Sequence, residues 1–339
     1  MKLGIIGLTR SGKSTVFEAL THNIISESYK SKNRIGTIHV PDNRLDVLGN
    51  MYKPLKTIYA QIQYFLPDVL RQTKDQNWIQ VRDCDALIHV VRNFGGYGFE
   101  APTPYQDFQT IDQELILTDL VVVEKKLEHL GLDQKRGKQA DLEEFLLLNQ
   151  CLEVLEKEMP LRKFTDLASA HLLKGYAFLS AKPLLVLLNN EDDDDVIPDI
   201  TDVTTQENCM VIRGKLEQEL AQMSVEESEE FLTEFNITAS AMDRVIQRSY
   251  ELLGLISFFT IGKDEVKAWT VKRKTPAIDA ADVIHTDMKK GFIRAEVVSF
   301  NDLISAGSYP EARKLGNVRL EGKTYEVQDG DIIEFRFNV

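Results

Sequence analysis

Two textures of apolar residues alternate along the chain. Short unbroken apolar runs, bounded by polar residues, occur at Leu3 to Ile6, in CDALIHVVRNF and in KPLLVLLNN. Runs of this length are what strands buried on both faces of a parallel sheet require. Thr15 to Leu20 starts a helix directly after the first run, and RIGTIHVPDNRLDVLGNMY predicts a strand, a Pro-Asp turn and a short helix. TIYAQIQYFL predicts one further strand, and MVIRGKLEQELAQM a strand followed by a helix. Between CDALIHVVRNF and KPLLVLLNN the period changes. From Asp107 to about Gly175 apolar residues recur at helical spacing, first at Ile111, Leu115, Leu120, Val123, Leu127 and Leu130, then at Leu142, Phe145, Leu152, Leu155 and Met159. GLDQKRGKQ breaks the period between the two stripes, which predicts a helical hairpin inserted into an α/β domain. Such stripes pack a core, and the hairpin tip is the part left to touch a partner. SVEESEEFLTEFNI reads as a surface helix and a core-facing turn. From Leu255 onward, ISFFTIG, EVKAWTV, FIRAEVV and NVRLEGKTYEVQDGDIIEFRF show two-residue alternation and an Asp-Gly hairpin sign, which predicts a small, separate, strand-rich α+β domain.

Composition narrows the classes. A length of 339 residues suits two to three domains, and 43% hydrophobic with 27% charged residues is ordinary for a globular protein. The net charge of −13 argues against non-specific binding of nucleic acid by the chain as a whole. From Gly254 to the C-terminus, however, 13 basic residues balance 13 acidic ones. Lys267, Lys272, Arg273 and Lys274 in that part read either as a solvated strand edge or as a phosphate-contacting patch. Cys84, Cys151 and Cys209 lie far apart without metal-ligand spacing, which fits small buried thiols in a reduced cytoplasmic protein. The first apolar run is too short for a signal peptide and nothing reaches the length of a membrane span, so a cytoplasmic protein with no membrane partner is expected.

Candidate chemistry begins at GLTRSGKS, residues 7–14. The spacing G-x-x-x-x-G-K-[ST] gives each fixed position a task. Gly7 and Gly12 let the backbone turn tightly and bring its N–H groups near phosphate oxygens; Lys13 reaches the β- and γ-phosphates; the Ser14 hydroxyl is placed to ligate Mg²⁺. The strand before and the helix after supply the required context, and the helix dipole favours an anion. Gly7, Thr9, Arg10, Ser11, Gly12, Lys13, Ser14 and Thr15 are therefore the expected phosphate cradle, with Lys13 stabilising charge in any hydrolysis.

Base choice requires a second element. Asn189-Asn190-Glu191-Asp192 ends an apolar strand with N-x-x-D, and a carboxylate there accepts both N–H donors of guanine. Asn190 stands where lysine is usual and Asp193 to Asp195 follow, so a solvated acidic loop is the competing reading. Hydrolysis needs a metal-linked Asp at a strand end and a glycine beyond it. TIYAQIQYFLPDVLR offers Leu66 at that place, no glycine, and Asp68 displaced after Pro67.

On these residues the chain resembles the YchF branch of the Obg-related P-loop NTPases. GIIGLTRSGKSTVFEALT is similar to that family's phosphate loop, VPDNRLDVL and DALIHVVRNF to its flanking segments, and KPLLVLLNNED to its base-recognition strand. FFTIGKDEVKAWTV, AADVIHTDMKKGFIRAEVVSFNDLI and LEGKTYEVQDGDIIEFRFNV are similar to its C-terminal TGS domain. The resemblance implies an α/β P-loop G domain with a mainly parallel sheet (1–106 and 179–253), an inserted α-helical hairpin (107–178) and an α+β, β-grasp-like TGS domain (254–339). It implies GTP or ATP with Mg²⁺ bound at Gly7 to Thr15, with Asn189, Glu191 and Asp192 at the base and Ser14 at the metal. A ribosome or RNA–protein assembly is the implied partner, met through the helical and TGS domains. The departures are the shortened switch segments: LPDVLRQTKDQNW replaces D-x-A-G and its glycine-rich stretch, and no Thr stands in register to ligate Mg²⁺ before VPD. Two functions follow, a slow NTPase switch or a degenerate NTPase serving as a non-hydrolysing adaptor. A P-loop kinase for a small metabolite fits the loop alone but leaves the tail without a role. His285 is expected to be a satisfied histidine of the tail domain rather than a catalytic one.

Overall fold

A computed structural model describes residues 1–22, 33–68, 74–96, 98, 100–136, 141–200, 203, 207–234, 240–262 and 264–338. Its first sheet has six strands in the order β2-β4-β1-β5-β6-β7: β1 (Lys2–Ile6), β2 (Arg34–His39), β4 (Gln61–Leu66), β5 (Ala86–Asn93), β6 (Leu184–Asn190) and β7 (Asn208–Ile212). The pairs β1–β4, β1–β5, β5–β6 and β6–β7 are all parallel. The unbroken apolar run of KPLLVLLNN is explained by β6, which is buried at every position. Helix α1 (Lys13–Thr21) follows β1 across the expected loop.

The inserted hairpin is present as α4 (Pro104–Lys135) and α5 (Leu142–Glu156), and residues 137–140 of the period-breaking stretch lie outside the described residues. Asp141 caps α5 by accepting from the Glu143 and Glu144 N–H groups. The hairpin is not a separate body. Phe108, Ile111 and Leu115 at the start of α4 belong to the core of the sheet, whereas Ile116 and Val123 pack with Leu148, Cys151 and Leu155 of α5. Asp119, with no exposed surface, accepts from the Leu179 and Ser180 N–H groups at 2.9 and 2.7 Å. One compact unit therefore holds Met1–Thr37 and Gln63–Met242, hairpin included.

The second unit, Ile38–Ile62 with Asp243–Val339, differs from the expected boundary at 254 in two ways. Its helix Ala241–Leu252 places the Tyr250 hydroxyl 2.9 Å from Thr270 Oγ1, so the residues just before 254 pack with the tail. The expected single strand TIYAQIQYFL is also two strands. β3 (Lys56–Ile58) pairs in parallel with β9 (Glu265–Lys272), and β4 enters the other sheet. β3 is open to solvent on Lys56 and Thr57 and has no apolar alternation, as suits a sheet edge. In this second sheet the order is β11-β10-β12-β8-β9-β3, with β8 (Leu255–Ile261), β10 (Phe292–Ser299), β11 (Arg319–Glu321) and β12 (Asp331–Phe337). The helix Ala277–Ile284 lays Ala277, Ala280 and Ala281 on Phe258, Val271 and Phe335, giving the β-grasp-like layer expected of the tail. Arg44 joins the two stretches of this unit through Asp42 and Asp329, at 2.8 Å to each. His285 caps the helix Thr286–Lys290 by accepting from the Asp287 N–H, which is the satisfied role expected of it.

All three cysteines are free thiols, and burial pushes Cys84 up to about 11 and Cys151 and Cys209 up to about 12. Among the described residues no helix is long and apolar enough to cross a membrane.

Candidate functional site

The expected site residues converge at the carboxyl ends of three neighbouring parallel strands, β1, β5 and β6, where open α/β sheets bind ligands. After β1 the backbone turns through left-handed residues: Gly7 has φ +147°, Arg10 +66° and Gly12 +93°. A Cβ on Gly7 would lie 2.4 Å from the Val90 carbonyl oxygen, and one on Gly12 would lie 2.2 Å from Asn189 Nδ2. Both glycines are thus required by close approach as well as by conformation. Gly12 stands at the cap of α1 and no side chain caps the helix, so the first-turn N–H groups have no side-chain acceptor. The loop fits a phosphate chain on these grounds.

Lys13 is 9% exposed. Its Nζ donates to the carbonyl oxygens of Gly7, at 2.8 Å, and of Leu8, and no carboxylate among the described residues pairs with it. Burial holds its pKa down at about 8. A buried ammonium met only by neutral dipoles is poised for an anion. Ser11 is buried with its hydroxyl unpartnered, while Thr9, Arg10 and Ser14 are exposed and Thr15 is half-buried.

Asn189, 3% exposed, ties the loop to the far edge of the site. Its Nδ2 donates to the Ser11 carbonyl at 3.1 Å and its Oδ1 accepts from the Gly214 N–H at 2.9 Å. The register explains the second bond, since Asn189 pairs with Ile212 of β7 and Gly214 follows two residues on. Asn190, in the position where lysine is usual, is structural: its Oδ1 accepts from Asn93 Nδ2 at 2.9 Å and its Nδ2 donates to the Val196 carbonyl at 2.8 Å. Glu191 accepts from the Gly95 N–H at 2.6 Å, and Asp192 Oδ1 from the Leu216 N–H at 3.2 Å. Both candidate base-reading carboxylates therefore brace backbone loops.

The metal ligands are the part of the site that is not assembled. Ser14 Oγ accepts from Arg34 Nη2 at 2.9 Å, and Arg34 Nη1 lies 3.1 Å from Glu18 Oε1. Leu66 ends β4 with 3% exposure; the Asp68 N–H beyond it donates to Asn33 Oδ1 at 2.9 Å, and residues 69–73 lie outside the described residues. Around the Ser14 hydroxyl the described residues offer a guanidinium, which does not fit a Mg²⁺ ion. Sequence reasoning missed Arg34, because a lone arginine at the start of a strand carries no motif. It also missed Gly214, whose signal was the RGK immediately after the last strand of the sheet. His89 was missed too: it is buried on β5, stacked 5.6 Å from Phe108, with neither ring nitrogen hydrogen-bonded and its pKa pushed down to about 3 by burial, hence neutral.

Comparison with known proteins agrees with this geometry. Over 362 residues the chain is 36% identical to the ribosome-binding ATPase YchF of Bacillus subtilis (strain 168), covering 99% of both chains. The chain belongs to the YchF family. It is 36% identical over 363 residues to the ribosome-binding ATPase YchF of Haemophilus influenzae, covering 100% of this chain and 99% of that one. The solved structure of the Schizosaccharomyces pombe YchF GTPase superposes with a TM-score of 0.86 at 27% identity, over 99% of this chain and 97% of that one. Residues 255–338 match the family YchF-GTPase_C, described as a protein of unknown function (DUF933). In this YchF chain that match spans β8 to β12.

Proposed function

We propose that this YchF-family chain is a cytoplasmic nucleotide-binding switch that takes ATP at Gly7 to Thr15 and works on the ribosome. The observation that carries the reading is Asn189, a buried side chain that couples the phosphate loop to the loop after β7. Lys13 supplies positive charge to the phosphates, the α1 N-terminus supplies N–H donors, and Gly7 and Gly12 keep the backbone close enough to use both. ATP is taken as the nucleotide from the relatives' printed name, ribosome-binding ATPase, and Asp192, the acceptor guanine would need, already accepts from the Leu216 N–H through one of its two oxygens. The ribosome comes from the relatives' names, ribosome-binding ATPase in each of the two bacteria. Equilibrium binding of ATP and GTP to the full chain and to Lys13→Ala tests the site: micromolar ATP binding lost in the variant supports it, and equal binding by the variant refutes it. Co-sedimentation with ribosomes, with and without ATP, tests the partner.

Leu66 at the end of β4 favours a second reading, in which nucleotide is held without turnover and the protein serves as an adaptor. Phosphate release no faster than that of Lys13→Ala with ribosomes present supports the adaptor. Release well above that control establishes the NTPase.

A further inference from the structure

The side chain that faces Ser14 is a cation built into the fold. Arg34 is 8% exposed and held on three sides: Nη2 donates to Ser14 Oγ at 2.9 Å, Nη1 lies 3.1 Å from Glu18 Oε1, and its guanidinium carbon sits 5.1 Å from the centre of the Phe17 ring. Glu18 is 7% exposed and is fixed in turn by Gln218 Nε2 at 2.6 Å. Ser14 itself is exposed, so the charge is buried behind a hydroxyl that opens to solvent.

We propose that Arg34 is the permanent cation of the phosphate site, so that this chain binds its nucleotide without a divalent metal. The proposal rests on the nucleotide reading above. A guanidinium carries five N–H donors in a fixed fork, and the bonds to Ser14 and Glu18 leave others for a phosphate oxygen. One Ser14 lone pair already accepts from Arg34, and its O–H is left to donate to a phosphate oxygen. A divalent cation at that hydroxyl would meet a like charge at close range, with Glu18 already neutralised by the arginine. Leu66 stands where a metal-linked carboxylate is expected, and Arg34 stands over the hydroxyl that would share the metal.

The test is ATP binding to the full chain by calorimetry, once with excess Mg²⁺ and once with excess EDTA. The two affinities are expected to agree within about threefold, and Arg34→Gln is expected to bind about 10- to 100-fold more weakly in EDTA, the worth of one or two charge-assisted hydrogen bonds. Glu18→Gln, which leaves Arg34 in place, is expected to bind equally with and without metal and guards against a folding defect in the first variant. A wild-type affinity that falls more than tenfold in EDTA overturns the proposal, as does Arg34→Gln binding as tightly as the wild type, the behaviour of a latch rather than a ligand. If ATP binds the wild type under neither condition, the nucleotide reading falls and takes this inference with it. That result is distinct from metal-dependent binding, which leaves the nucleotide reading standing.

Discussion

Lys13 should make nucleotide affinity depend on pH above neutrality. Its ammonium is buried against the Gly7 and Leu8 carbonyls with a pKa of about 8. A polyphosphate in contact with Nζ restores the ordinary value, so binding takes up a proton wherever the free protein has lost one. Between about pH 7.5 and pH 9.5 the charged fraction of a group with a pKa of about 8 falls from about three quarters to about 3%, so the Kd for ATP should rise about 25-fold. Calorimetric titrations across that interval measure it, above the range in which the γ-phosphate titrates. A Kd constant within twofold would show that Lys13 is already charged or does not touch the ligand. The same shift has a folding consequence of opposite sign. A lysine whose folded pKa lies below its unfolded value contributes stability that is full above pH 10.5 and is lost as pH falls through about 8. At pH 7 the charged form therefore weakens the ligand-free fold by about 3 kcal/mol at most. Lys13→Met, which has no charge to desolvate, should abolish ATP binding while raising urea stability by about 1–3 kcal/mol.

Three further outcomes follow from the geometry. Gly12→Ala puts a Cβ 2.2 Å from Asn189 Nδ2 at a φ of +93°, and should lower both thermal stability and ATP affinity at least tenfold by the loop shift it forces. Asn189→Asp replaces the donor to the Ser11 carbonyl with a buried carboxylate, and should cost about 2–4 kcal/mol in urea denaturation together with nucleotide binding; unchanged affinity would separate the two loops that Asn189 is held to couple. Asp119→Ala leaves the buried Leu179 and Ser180 N–H groups unpaired, and should cost about 2–4 kcal/mol, with faster amide exchange at those two residues as the local signature.

The parallel sheet, the phosphate loop and the hairpin could be read from the residues, because each has a periodic or spaced signal that local physics enforces. KPLLVLLNN had to be a strand covered on both faces, and GLTRSGKS had to turn through glycines. What escaped reading depended on contacts far apart in the chain. TIYAQIQYFL reads as one strand, yet Tyr59 and Ala60 separate Lys56–Ile58 from Gln61–Leu66, which enter different sheets. Asn189, expected at the base, also bridges two loops far apart in the chain. Arg34 gained its meaning only from Ser14, twenty residues away, and Glu18, both on a helix that the strand β2 does not precede in sequence.

The pairing of β3 with β9 also sets an order in time. Ile58 finds Lys267 only after roughly 200 further residues have been made, which at ordinary synthesis rates is about 10 to 40 s after β3 itself leaves the ribosome. Throughout that interval Ile38–Ile62 waits while the whole of the other unit's later sequence is laid down and can fold. The C-terminal sheet thus takes its edge from a strand made roughly 200 residues before its partner, and the lysine and threonine that β3 shows to water keep a waiting segment soluble.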